Sequence, residues 1–368
     1  MPKTGSSSIQ ETLFWGLKDP RFHYFSAGEI NGSNMIRAIV ANRLLPEFQS
    51  LDIAKVRARY FKLLARCAKK TIRNGRNLIL SGENGWSLNR GELGDLRSIL
   101  NDFGFEVEVI VYLRPWKEFL ESRYQQVIQS DSTATETIWP PLVPKLGFAP
   151  IDYRGKIEQL DHVFGRSQVA VRKYDSKLFP DRCIVKDFCR QAGIDISGSQ
   201  VIRTNDSLSL RAIRLLVAYR AFSGHMIKSD AFKDWSRYFL LQALRQLPGD
   251  RLRFHSRLIL EILTPLQEQS SWLENRLGQP FQEDWTQYDD GRCIRSMEDL
   301  LCFDQESLEW LAEQAGVRTP TVQTGEVAAR WVAEQMERLR YRRPDRSDLF
   351  PAARRWIGMQ AIRTLYGR

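Results

Sequence analysis

Two stretches of the chain hold residue types arranged to bind anions. The first is Met1-Pro2-Lys3-Thr4-Gly5-Ser6-Ser7-Ser8-Ile9-Gln10, a lysine, a glycine and three serines directly ahead of a segment where Ile9, Leu13, Phe14 and Leu17 recur at helical spacing. Backbone N–H groups at the start of a helix are unpaired, hydroxyls add donors, and lysine adds charge, so the segment suits a phosphate-like group. Lys3 precedes the single glycine by two positions, whereas the nucleotide-triphosphatase loop G-x-x-x-x-G-K-[ST] has its lysine after the second glycine. The second stretch is Tyr112-Leu113-Arg114-Pro115-Trp116-Lys117-Glu118-Phe119-Leu120-Glu121-Ser122-Arg123-Tyr124. Arg114 closes an apolar strand, Pro115 opens a helix, and Ser122 follows Arg114 by eight positions. Arginine beside a helix N-terminus and a hydroxyl suits a second phosphate.

The elements that must position these residues alternate. Short apolar runs at 22–26, 77–81, 107–113 and 168–174 read as strands, the second bounded by Gly75 and Gly82. Helical periods occupy 35–45, 53–72, 93–100 and 115–128, and another helix contains Leu160. The helix over 53–72 is heavily basic on its outer face. The alternation predicts an α/β fold with a mainly parallel sheet. From about 207 the pattern turns helical, with apolar stripes at 208–222, 235–247, 252–263 and 308–315. The end of the chain is basic, with Arg338, Arg340, Arg342, Arg343, Arg346, Arg354 and Arg355 among Trp331, Tyr341, Phe350 and Trp356.

With 368 residues and a net charge of +10, the chain has room for a large core and an affinity for anions. Its five cysteines lack C-x-x-C spacing and read as reduced thiols; with four scattered histidines they predict no metal site. No signal peptide or membrane-length apolar run stands out, which predicts a cytoplasmic protein.

Taken together, Pro-Lys-Thr-Gly-Ser-Ser-Ser opening one helix and strand-Arg-Pro-(x)6-Ser-x-x-Tyr opening another resemble the sulfotransferases that use 3′-phosphoadenosine 5′-phosphosulfate (PAPS). The separation of Arg114 and Ser122 is that of the family's two 3′-phosphate ligands. The end of the 78–83 strand, the Val169-Ala170-Val171-Arg172-Lys173-Tyr174-Asp175 run and Asn205-Asp206-Ser207-Leu208-Ser209 are similar to bacterial, carbohydrate-type members. The resemblance covers roughly residues 1–320. It implies a P-loop-like three-layer α/β fold with a central, mainly parallel sheet, and a sulfotransferase that needs no metal. Its acceptor would be a carbohydrate or glycolipid hydroxyl. Lys3 would stabilise the departing phosphate. Thr4, Gly5, Ser6, Ser7 and Ser8 would form the 5′-phosphosulfate loop, Arg114 and Ser122 would hold the 3′-phosphate, and Arg203 would add to that site.

In this family a histidine or glutamate near the donor acts as general base. Glu83, just past the 77–81 strand, is the first choice and His23 the second; His162, His225 and His255 have no claim. The Pro-rich stretch 130–150, with Trp139-Pro140-Pro141, is a candidate acceptor loop. The strand that leads into the phosphosulfate loop in the family is missing ahead of Lys3, a start placed too late being the simplest explanation. Residues 321–368 form a basic helical tail suited to an anionic membrane surface, which would make the protein peripheral at the inner face; nucleic acid is a weaker match. A P-loop nucleotide or small-molecule kinase and a non-catalytic polyanion-binding protein are the alternatives.

Overall fold

Four short strands alternate with helices over the first half of the chain. In the computed structural model, which describes residues 3–44, 51–130, 151–204, 207–223, 231–290, 293–321 and 324–341, the order is α1 (Ser6–Gly16), β1 (Phe22–Tyr24), α2 (Ser33–Val40), α3 (Ile53–Arg73), β2 (Asn77–Ile79), α4 (Arg90–Asp102), β3 (Val109–Leu113), α5 (Trp116–Gln129), α6 (Tyr153–Phe164), β4 (Val169–Lys173) and α7 (Ile184–Gln191). Helices follow: α8 (Leu210–Phe222), α9 (Ala231–Leu244), α10 (Leu260–Gln267), α11 (Ser270–Leu277), α12 (Met297–Leu300), α13 (Gln305–Ala315) and α14 (Gly325–Tyr341). The chain is α/β, and the four apolar runs hold the four strands found among the described residues. The expected helix over 252–263 is shorter, because Phe254 pairs with Ile294 as an isolated bridge and the α-helix starts only at Leu260.

The expected single central sheet is instead two parallel pairs, β1–β2 and β3–β4, with no ladder joining them among the described residues. Successive residues of a parallel strand bond to opposite neighbours. The Asn77 N–H donates to Arg21 and the Ile79 carbonyl accepts from Phe25, so the backbone groups of Leu78 between them face away from β1. Likewise the Leu113 carbonyl accepts from Tyr174 on the β4 side, which turns the backbone of Tyr112 the other way.

The two pairs nevertheless share the helices that cover them. On one side, Val185 and Cys189 of α7 pack with Ile9 and Leu13 of α1 and with Tyr24 and Ile79. The same helix presents Asp187, which accepts from the Tyr112 hydroxyl at 2.6 Å and from the Arg172 guanidinium at 3.0 Å. On the other side, Leu78, Leu80, Val109 and Val169 join one apolar cluster with residues of α2, α3, α4 and α6. Helices therefore lie on both faces of both pairs.

A third cluster runs from Leu113, Trp116 and Tyr153 through the helical half to Ala329, Val332 and Met336 of α14. Arg340 is only 1% exposed, donating from Nε to Ser236 Oγ at 3.0 Å and from Nη1 to the Tyr219 hydroxyl at 3.2 Å. The stretch set apart as a tail from 321 is thus, through Tyr341, part of the helical body; most of its arginines, at 342–368, lie outside the described residues, as do 131–150 and Asn205-Asp206. Among the described residues no helix is long and apolar enough to cross a membrane.

Candidate functional site

The Lys3–Gln10 and Tyr112–Tyr124 stretches meet. The Arg114 guanidinium donates from Nη1 to the backbone carbonyl of Lys3 at 2.9 Å, across 111 positions of chain. Arg114 leaves the end of β3, lies over the Tyr174 ring with Cζ 5.1 Å from its centroid, and reaches Glu118 at 3.4 Å. The Tyr153 hydroxyl donates to the Arg114 carbonyl at 2.6 Å, so both ends of this residue are held. Tyr174 entered the sequence reading only within the 169–175 run, and Tyr153 did not enter it.

Lys3 and Gly5 shape the loop ahead of α1. Both have positive φ, 64° and 74°. At Gly5 a Cβ would stand 2.8 Å from Ile184 Cγ2, so α7 approaches too closely for any side chain, and the left-handed conformation also favours glycine. The first N–H groups of α1 follow, with no side-chain cap from Gly5. Burial lowers the Lys3 pKa to about 8, against the pull of Glu83 and with help from Arg123 and Arg114. Lys3 therefore shares its surroundings with one carboxylate and two guanidinium groups. Arg123, whose pKa burial also lowers, adds a cation that sequence reading left out. Its place just after Ser122 was the available signal.

Glu83 opens a 3-10 turn at Glu83–Ser87 and accepts a hydrogen bond from the Ser6 hydroxyl. Gln10 on α1 donates to Ser81 Oγ at 3.1 Å, so the end of β2 is fastened to the loop and helix that follow Lys3. Glu83, Ser6, Lys3 and Arg114 thus form one group across the ends of β2 and β3. His23 stands apart. Its Nδ1 is 3.0 Å from Thr71 Oγ1 and 3.6 Å from Cys67 Sγ of α3, and burial lowers its pKa.

The serines divide. Ser8 is buried, and its Oγ accepts from the Thr204 N–H at 3.0 Å. With the Thr12–Ile202 pair, where the Ile202 N–H donates to Thr12 Oγ1 at 2.9 Å, this bond lays residues 202–204 along α1. Arg203 is exposed on that segment. Thr4 is buried, at 2% exposure, which turns its side chain inward. Ser7 and Ser122 are half-buried and make no side-chain hydrogen bond among the described residues.

One expectation is corrected. The N-terminus of α5 was to share in holding an anion beside Arg114, but Glu283 already occupies it. Its Oε2 accepts from the Lys117 N–H at 2.9 Å and its Oε1 from the Glu118 N–H at 3.4 Å. A carboxylate from the helical half satisfies these amides, leaving side chains to hold any anion at this end of β3. Burial raises the Glu283 pKa to about 7; the two amides oppose the rise, and the nearby Glu118 and Glu121 add to it. A carboxyl raised from about 4.5 to about 7 on folding keeps its proton in the native state across that window, so stability falls as pH climbs through it. Glu283→Gln is expected to remove this slope. Urea denaturation from pH 4.5 to 7 should show wild type losing on the order of 2 kcal/mol relative to the variant; parallel curves would reject the assignment.

Among the described residues no group of three or more His, Cys, Asp or Glu side chains is arranged to hold a metal ion.

The chain matches no family profile, and no solved structure matches it. It is similar to an uncharacterized protein of Archaeoglobus fulgidus, 32% identical over 145 residues. The match covers 39% of this chain and 37% of that protein.

Proposed function

We propose that the chain is a sulfotransferase that moves a sulfuryl group from PAPS to a hydroxyl of a carbohydrate or glycolipid acceptor. The observation that carries the reading is the meeting of the two motifs, with Arg114 bonded to the carbonyl of Lys3. The donor set suits a nucleotide with anionic groups at both its 5′ and 3′ positions. Lys3, the open N–H groups of α1 and the Ser7 hydroxyl would hold one group, with the Ser6 hydroxyl committed to Glu83, while Arg114, Arg123 and Ser122 would hold the other. Thr4 and Ser8 support the loop from within, and Arg203 lies at its rim. A P-loop-like arrangement is the fold this reading takes, with helices on both faces of the two strand pairs in its favour.

When bound, PAPS supplies the sulfuryl group and a phosphate leaving group. The chain's own residues supply position and charge, as in phosphoryl transfer. Glu83 takes the acceptor proton as the acceptor oxygen bonds to sulfur, and the Ser6 hydroxyl orients its carboxylate. Lys3 stabilises the phosphate oxygen that keeps the electron pair of the broken sulfur–oxygen bond. Arg114, fixed by Tyr174 and Glu118, holds the far end of the nucleotide in register.

Isothermal titration tests the reading against a kinase. Adenosine 3′,5′-bisphosphate is expected to bind and ATP with magnesium to bind far more weakly. Tight ATP binding with none of the bisphosphate would sink the proposal.

A further inference from the structure

Helix α3 carries a feature that the site does not use. Its 21 residues include eight lysines and arginines and no acidic residue. Six of them, Lys55, Arg59, Lys62, Arg66, Lys69 and Arg73, follow one another at alternating steps of four and three, which sets them in a single row along the helix. Neighbours in such a row repel. Lys55 is paired with Asp52 of its own N-cap at 3.4 Å. Lys62, Arg66, Lys69, Lys70 and Arg73 are exposed and have no carboxylate within ion-pair distance among the described residues. The helix dipole favours cations in the last turn, which accounts for Lys70 and Arg73 but disfavours Lys55, Arg57 and Arg59 near the start.

The face opposite the row is packed into the core through Val56, Tyr60, Leu64 and Ala68. Between the two lies an apolar shoulder. Phe61 and Ile72 are each 43% exposed there, with small Ala65 between them, Ala58 a turn before Phe61, and Phe103 tilted against Phe61 at 5.9 Å. A straight helix of this length offers a line of charge about 30 Å long, flanked by two apolar side chains. A flat anionic surface with an apolar layer just beneath it fits both parts. A glycan chain would meet the cations but give Ile72 no partner.

We propose that α3 docks the protein on a membrane surface of anionic phospholipid, with the cation row on the headgroup phosphates and Phe61 and Ile72 at the boundary of the acyl layer. The docking face is distinct from the site at the strand ends and does not depend on the reaction carried out there. The row lies within the described fold, outside the basic segment at 342–368.

The test is co-sedimentation of the full chain with vesicles of phosphatidylcholine alone or mixed with phosphatidylglycerol. Binding is expected to the mixed vesicles and to weaken as salt is added. The triple variant Lys62→Glu, Arg66→Glu, Lys69→Glu should lower the partition coefficient on the order of a hundredfold. Phe61→Ser should lower it less. Arg342→Glu, Arg343→Glu, Arg346→Glu should keep most of the binding. Wild-type partitioning by the α3 variant, or loss confined to the 342–346 variant, overturns the proposal. So does retention on immobilised heparin with no binding to either vesicle. Thermal melting followed by circular dichroism checks the fold; if the triple variant melts early, Lys62→Gln with Lys69→Gln is read the same way, with an intermediate loss expected.

Discussion

Replacing Arg114 or Lys3 by alanine is expected to weaken adenosine 3′,5′-bisphosphate binding by about a hundredfold in each case, since each removes a charge-assisted contact to an anionic group. The two losses should differ in character. Arg114 also holds the loop through the Lys3 carbonyl, so Arg114→Lys restores charge without the planar fork and recovers only part of the affinity. Lys3 should show a pH signature instead. Its pKa is held at about 8 by burial, so the ammonium is present at neutral pH and is lost as pH rises through that value. Wild-type affinity should fall above pH 8, and that part of the decline should vanish in Lys3→Ala. Titration calorimetry across pH measures both. If neither alanine variant changes the affinity, the two motifs do not form the site.

Glu83→Gln should leave the bisphosphate bound and lower kcat by about a hundredfold to ten-thousandfold, the range of a lost general base. Because the Glu83 carboxylate also supports the Lys3 ammonium, the fall in affinity with rising pH should begin at a lower pH in Glu83→Gln than in wild type. Ser6→Ala removes the hydroxyl that orients Glu83 and should lower kcat by a smaller factor. His23→Asn should leave kcat unchanged, since His23 faces Thr71 and Cys67. A sulfate-transfer assay with labelled donor and a panel of glycans reads all three. A Glu83→Gln variant with kcat within about a factor of three of wild type would remove the base assignment.

The strands were legible in the sequence because each is a short apolar run ended by glycine, proline or charge. Val109–Leu113 meeting Arg114-Pro115 is the clearest case. The grouping of the strands was not legible. Pairing joins residues such as Val111 and Val171 across long separations, and no local pattern records which strand edge stays open. The same limit hid Glu283, which caps α5 from 166 positions away. The stretches around Lys3 and Arg114 stood out because their residue types are local, a lysine and hydroxyls ahead of one helix and an arginine ahead of another, and the structure brings them together. Arg123 was passed over because an arginine on a helix ordinarily faces solvent. The apolar spacing over 252–263 misled because Phe254 is buried by a bridge to Ile294.

The open edges of β2 and β3 have a consequence for how the molecule responds to its ligand. Near the site, the two strand pairs are tied at their ends by the Lys3 loop and the start of α1, through Arg114 on one side and through Glu83 and Ser81 on the other. If the proposed anion binds there, it would act as a rivet between halves that share no ladder among the described residues. Its binding energy is then also cohesion between the halves, and amide protons of Leu78 and Tyr112, on opposite sides of the seam, should slow their exchange together when the site fills.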